Sequence, residues 1–253
     1  MRPNIMKAKL AAGQPALGLS VMIPSPHMVE MAAGLGFDWV LIDLEHGTIT
    51  LETAELMILA AEAGGITPIL RPRSNDPRDI LAAMDRGAAG VQVPHVASRA
   101  DAVAAVEAVK FQPLGRRSLA AGTRAAGYGY RGSAADFVAA ANRETLVCVQ
   151  IEDEAAIDNV DALLATAGVD VFFIGPSDLS QSMGFPGDVT AAPVARAIAW
   201  TLERIVAAGK VAGLPATREN LAGALARGVR YTYTHLPALF ANAASAHLKA
   251  AKV

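Results

Sequence analysis

Eight short apolar runs punctuate the chain, separated by longer stretches with helical spacing. The runs are Ala16–Met22, Trp39–Asp43, Thr67–Leu70, Gly90–Val93, Leu146–Ile151, Val169–Ile174, Val211–Leu214 and Arg230–Thr234. They are apolar on both faces rather than alternating, as parallel strands covered by helices should be. The segments between them predict helices near His27–Gly34, Leu51–Ala63, Pro77–Arg86, Ser98–Val109, Glu154–Thr166, Ala192–Ala208, Arg218–Arg227 and Pro237–Ala250. Several stop at glycine, at Gly34, Gly64, Gly87, Gly168, Gly209 and Gly228, the usual residue just past a helix end.

Eight βα units in 253 residues predict one α/β domain, a (β/α)8 TIM barrel over residues 1–253. An open doubly wound sheet is the other arrangement of such units, and their even spacing favours closure. The spacing fails once, at residues 111–144, an insertion rich in Gly, Arg and Tyr between the fourth and fifth strands. A loop of this length points to function or to a partner contact.

A net charge of −2, spread along the chain, provides no field to attract nucleic acid or an anionic membrane. No run approaches the roughly 18 uncharged apolar residues of a membrane span. Met1–Lys7 lacks the apolar core of a signal peptide. Cys148 is the only cysteine, which excludes an internal disulfide and suits a reducing cytoplasm, the expected location.

In a closed barrel, chemistry gathers where strands end. The second strand ends in Asp43, Glu45 and His46, the third in Arg71, and the fifth in Gln150 and Glu152. The sixth ends in Gly175-Pro176-Ser177-Asp178, the eighth near His235, and the first in Ser20 and Met22. Glu152 and Asp178 close adjacent strands. Two carboxylates, completed by water and substrate oxygens, are how Mg²⁺ or Mn²⁺ is usually held. Glu152-Asp153-Glu154 also reads as an acidic helix start. No Cys/His cluster has zinc spacing. Ser177-Asp178 reads as a helix amino terminus, able to hold a carboxylate or phosphate, or as simple capping. Arg71 is the cation among these acids, placed to stabilise an oxyanion or to balance charge. His46, beside the densest acidic group, is the candidate general base. His95 follows Pro94 at a strand end, where a pocket role is open to it. His27 and His247 fall on helices.

At this point the residues resemble the HpcH/HpaI aldolases, metal-dependent (class II) pyruvate aldolases. The resemblance lies in Gly36-Phe37-Asp38-Trp39 through Asp43-Leu44-Glu45-His46, Arg71-Pro72 with Asn75-Asp76-Pro77, Gln150-Ile151-Glu152, and Ile174-Gly175-Pro176-Ser177-Asp178-Leu179-Ser180 with Met183-Gly184. It implies a barrel, usually a homohexamer, that cleaves 4-hydroxy-2-oxoacids to pyruvate and an aldehyde. It also implies that Glu152 and Asp178 ligate a divalent metal ion, Mg²⁺, Mn²⁺ or Co²⁺. The Ser177 and Asp178 amides would hold the pyruvate carboxylate, and Arg71 the enolate oxygen. His46 would move a proton, paired with Asp85 of a neighbouring subunit. Gln150 and Leu214 would contact substrate, with Asp43 and Glu45 behind the site. The aldehyde pocket falls to Ser20, Arg117, Tyr233 and His235. Around those last residues, at Tyr231–Pro237 and Arg116–Ser118, the sequence departs from the family pattern.

No lysine stands at any of the eight strand ends, which argues against a Schiff-base route. Two other reactions suit the same residues. One is an acyl-CoA lyase of the citramalyl- or malyl-CoA type, for which Arg116, Arg117, Arg124 and Arg131 are the candidate phosphate ligands. The other is an oxaloacetate decarboxylase. A binding module without catalysis is a third reading, opposed by the full set Arg71, Glu152, Asp178 and His46.

Overall fold

The eight apolar runs form a closed parallel barrel in chain order, and a computed structural model describes residues 1–250 of it. The strands are β1 (Ala16–Val21), β2 (Trp39–Asp43), β3 (Thr67–Arg71), β4 (Gly90–Val93), β5 (Leu146–Ile151), β6 (Val171–Ile174), β7 (Val211–Gly213) and β8 (Val229–His235). Strand β8 pairs back on β1, with Ser20 opposite His235.

Side chains alternate between two apolar layers. The outer layer packs strands against helices and includes Val40, Ile42, Leu70, Val91, Val149 and Phe172. The inner layer fills the barrel with Trp39, Leu41, Ile69, Cys148, Phe173, Tyr231 and Tyr233. Trp39 fits inside because its neighbour on β1 is Gly18; a Cβ there would sit 2.3 Å from the indole. The Trp39 and Tyr231 rings lie 4.2 Å apart, and Phe173 stacks on Tyr233 at 5.1 Å.

Helix α1 (Ile5–Ala11), which the apolar pattern does not announce, precedes β1. Asn4 caps it, accepting from the Lys7 N–H at 2.9 Å. Met6 and Leu10 join the inner layer, so α1 plugs the amino-terminal end of the barrel. The next elements are α2 (Pro26–Gly34), α3 (Leu51–Gly64), α4 (Pro77–Asp85) and α5 (Arg99–Val109). Residues 111–144 are not loop throughout: α6 (Ala134–Glu144) occupies the last third, started by a Ser133/Asp136 capping box.

The helix expected over Glu154–Thr166 is two, α7 (Glu154–Asp158) and α8 (Val160–Leu164). At the break the Asn159 side chain donates to the carbonyls of Ala155 and Ala97, competing with the helix ladder. Short α9 (Pro176–Ser182) leads from β6 to α10 (Ala192–Ala207). Helix α11 (Leu221–Ala226) follows β7, and α12 (Leu236–Ala250) follows β8.

Candidate active site

Asp43 organises one side of the carboxyl-terminal mouth. It is fully buried, and its Oδ1 accepts from the N–H groups of Glu45 at 3.0 Å and His46 at 3.2 Å. That turn throws Glu45 and His46 over the barrel end. Arg71, directly opposite Asp43 on β3, donates Nε to Oδ1 at 3.0 Å and Nη2 to Oδ2 at 2.5 Å. Its Nε also lies 3.2 Å from Glu45. Burial alone would lower the Arg71 pKa, but the hydrogen bonds and charge of Asp43 raise it instead, so the guanidinium stays charged. Two of its three nitrogens are tied down, and Nη1 remains for a ligand. Burial raises the pKa of Glu45, with Arg71 and the nearby histidines opposing. His46 is exposed, its Nε2 3.7 Å from Glu45.

Across the mouth, Glu152 continues β5 and is 1% exposed. Its Oε1 accepts the His95 N–H at 2.8 Å, and its Oε2 accepts from the Gln150 amide. Burial pushes its pKa up to about 7, with His95 opposing and the negative charge of Asp178 adding to the rise. Asp178 stands half-buried in the first turn of α9, where no side chain caps the helix. Gly175 makes room for this arrangement: a Cβ there would lie 2.5 Å from Glu152 Oε2.

The donor set fits a hard divalent cation. A buried carboxylate whose pKa burial pushes up to about 7 stands near the charge of a second carboxylate, in a cradle only glycine leaves open. No cluster of three or more His, Cys, Asp or Glu suited to a metal occurs among the described residues. A cation held here would draw two carboxylates from the protein and take its remaining ligands from water and substrate oxygens.

His95 was singled out in the sequence only as possible pocket lining. It takes a left-handed φ of 52° at the end of β4. Its ring sits 3.2 Å from Asp153 and 3.6 Å from Glu45. Burial works against its charged form, but Glu152 and Asp153 raise its pKa overall.

Ser20 and His235 share the rim. The Ser20 hydroxyl is buried and has no hydrogen-bond partner. His235 is exposed at the strand end, and partial desolvation of its ring together with the Arg71 charge lowers its pKa. Tyr233 lies below the rim, between Phe173 and His235, and burial holds its phenol protonated. Leu214 is half-buried just past β7, its N–H bonded to the Tyr231 carbonyl.

Arg117 and Asp85 stand elsewhere. Asp85 closes α4, and helices run back toward the amino-terminal ends of the strands. Arg117 Nη2 donates to it at 2.7 Å, and the guanidinium packs on Phe111. Arg117 is thus corrected from the mouth of its own barrel to the opposite end. It is buried there, with Nε and Nη1 unpaired. Arg124 lies at the same end, bonded to Glu62 and to the Arg86 carbonyl. Arg116 pairs with Glu107. In one chain, then, none of these three lines the mouth as a coenzyme A groove requires.

Gln92, between Val91 and Val93, is the residue the sequence reading missed. It is fully buried inside the barrel and hydrogen-bonded to both Gln150 and Tyr231. The only signal was a polar residue inside an apolar strand.

A closed barrel with charged and acidic groups converging on one mouth defines an enzyme of the (β/α)8 class. The chain belongs to the HpcH/HpaI aldolase/citrate lyase family, whose model matches residues 17–231. A 2-keto-3-deoxy-L-rhamnonate aldolase from Klebsiella pneumoniae is 36% identical, over 87% of this chain and 81% of its own length. A hydroxypyruvate/pyruvate aldolase from Deinococcus radiodurans is also 36% identical, over 87% and 78%. The crystal structure of a family member from Burkholderia cenocepacia superposes with a TM-score of 0.92 at 29% identity, covering 99% of this chain and 100% of that one. No helix among the described residues is long and apolar enough to cross a membrane.

Proposed function

We propose that this enzyme is a class II pyruvate aldolase, cleaving 4-hydroxy-2-oxoacids reversibly to pyruvate and an aldehyde. The observation that carries the reading is the pairing of two facing carboxylates, Glu152 and Asp178, with an arginine locked by Asp43. A divalent cation, Mg²⁺, Mn²⁺ or Co²⁺, held by Glu152 and Asp178 supplies Lewis acidity toward the 2-oxoacid.

The chain's own groups do the rest. The uncapped N–H groups of Ser177 and Asp178 hold the donor carboxylate, where the helix end favours negative charge. Gln150, already tied to Glu152, borders the donor, and Leu214 closes the apolar side. Arg71 presents Nη1 to the oxygen that becomes negative as the carbon–carbon bond breaks. Its position is fixed in advance by Asp43, so little reorganisation accompanies the reaction. His46, exposed and flanked by Glu45, moves the proton between water and the 4-hydroxyl or the pyruvate methyl. The acceptor aldehyde meets Ser20 and His235. An unpaired buried hydroxyl beside an imidazole favours short hydroxylated aldehydes over alkyl ones, since an apolar acceptor leaves those groups unpaired.

The protein works as a homo-oligomer, a hexamer by family resemblance. Two observations support this. Helix α12 buries none of its residues in the single chain, and Phe240 on it is 74% exposed. Asp85 and His46 lie at opposite ends of one barrel, so the pairing that the family resemblance implies would need a second chain. Light scattering in solution gives the mass directly. A cytoplasmic setting agrees with the buried, unpaired Cys148.

The test is pyruvate formation from 4-hydroxy-2-oxoacids with and without EDTA, with oxaloacetate and citramalyl-CoA run in parallel. Activity lost to chelation and restored by Mg²⁺, Mn²⁺ or Co²⁺ is expected. Full activity in EDTA, or a lysine adduct trapped by borohydride, refutes the reading.

A further inference from the structure

A line of hydrogen bonds crosses the barrel beneath the mouth. The Tyr231 hydroxyl, on β8, reaches Gln92 Oε1, on the opposite strand β4, at 3.0 Å. Gln92 Nε2 donates to Gln150 Oε1, and Gln150 Nε2 donates to Glu152 Oε2. All four side chains are at most 1% exposed. Of the aromatic side chains around them, Trp39 and Phe173 offer Gln92 nothing to bond with, and the Tyr233 phenol is a second hydroxyl within hydrogen-bond reach of it.

The direction of this line is forced from one end. With Glu152 ionised, as a bound cation would hold it, its oxygens only accept, so Gln150 must turn its NH2 toward it. The Gln150 carbonyl then faces Gln92 and requires an NH2 there. That leaves the Gln92 carbonyl facing the lumen, where a donor is needed, and the Tyr231 hydroxyl is that donor. Reversing either amide places a carbonyl against a carboxylate or against another carbonyl, in a dry interior where the mismatch has no water to relieve it. The other oxygen of Glu152 is held separately, by the His95 N–H.

We propose that Gln92 and Tyr231 are positioning residues for the cation site: the relay Tyr231–Gln92–Gln150 fixes the orientation in which Glu152 presents its carboxylate. The proposal rests on the reading of Glu152 and Asp178 as metal ligands. Gln92 and Tyr231 are both fully buried and would act on the cation only through Gln150 and Glu152. Groups that orient a ligating carboxylate from behind are typically worth about 10–100-fold in metal affinity or activity.

The experiment is direct titration of the metal-free protein with Mn²⁺, following free ion by electron paramagnetic resonance, with a thermal melt on each variant. Tyr231→Phe removes one oxygen atom and Gln92→Leu removes both amide groups. Each is expected to weaken Mn²⁺ binding about 10–100-fold while remaining folded. The double variant should bind no worse than Gln92→Leu alone, because the hydroxyl has no task once the amide is gone. Parental Mn²⁺ affinity in folded Tyr231→Phe overturns the relay, and so do losses that add in the double variant. Glu152→Gln is the control: if it loses Mn²⁺ binding while the relay variants do not, only the relay fails. If Glu152→Gln binds Mn²⁺ like the parent, the metal reading falls and the relay with it.

Discussion

Arg71→Ala should injure catalysis and folding together, and the two effects can be read separately. Arg71 Nε and Nη2 both bond Asp43, which is completely buried. Truncation leaves Asp43 with only the N–H groups of Glu45 and His46. Breaking a buried ion pair from one side typically costs about 3–5 kcal/mol. The retained N–H bonds put this case at the lower end, about 3 kcal/mol. That is still a sizeable share of the roughly 5–15 kcal/mol of a typical domain. Catalysis loses the one free donor, Nη1. Removing a single oxyanion partner lowers kcat on the order of 10²–10³-fold. Arg71→Lys separates the effects, since an ammonium can neutralise Asp43 but cannot also present a second donor in fixed geometry. Urea unfolding and kcat on the folded fraction should therefore both fall in Arg71→Ala. In Arg71→Lys, stability should largely return while kcat stays low. If folded Arg71→Ala, or Arg71→Lys, turns over within a few-fold of the parent, Arg71 is a structural counter-ion and the enolate assignment is wrong.

Three other outcomes test the remaining groups. Glu152 binds its proton at about 7 in the metal-free fold, against 4.5 ordinarily, so protons compete with metal below that value. Mn²⁺ affinity should climb as pH rises to about 7 and then level off; a flat profile from pH 6 to 8 would remove Glu152 from the ligand set. The sign for stability is opposite: between these two pKa values the native state holds a proton the unfolded chain releases, so the metal-free fold weakens as pH rises through that window. His46→Ala should slow both aldol cleavage and proton exchange at the pyruvate methyl, by roughly 10²–10⁴-fold, and unchanged exchange by NMR would exclude it. Ser20→Ala and His235→Ala should shift the ranking of glyceraldehyde over hexanal while leaving methyl exchange near parental; an unaltered ranking in both would take the rim out of specificity.

The barrel was legible because its strands are buried on both sides and therefore read as unbroken apolar runs. The mouth was legible for a related reason: charges such as Asp43, Arg71 and Glu152 appear abruptly where those runs end. Residues that act inside the barrel left weaker traces. Gln92 reads as a blemish in Gly90–Val93 until the topology brings Tyr231 across the lumen to it. Arg117 was placed at the wrong end because nothing in residues 111–144 tells which way an insertion folds. Its final helix could have been found, since Ser133 and Asp136 have capping-box spacing. Helix α1 is too short for periodicity to separate it from a tail, and tertiary contact through Met6 and Leu10 gives it its role.

The stopper formed by α1 and the inner aromatic rings has a consequence for access. With one end of the barrel sealed, the mouth is the only doorway. Everything the enzyme binds or releases therefore crosses one rim, past the ends of β1, β6 and β8. A bulky group fixed at that rim shuts the lumen altogether, because the far end offers no second route.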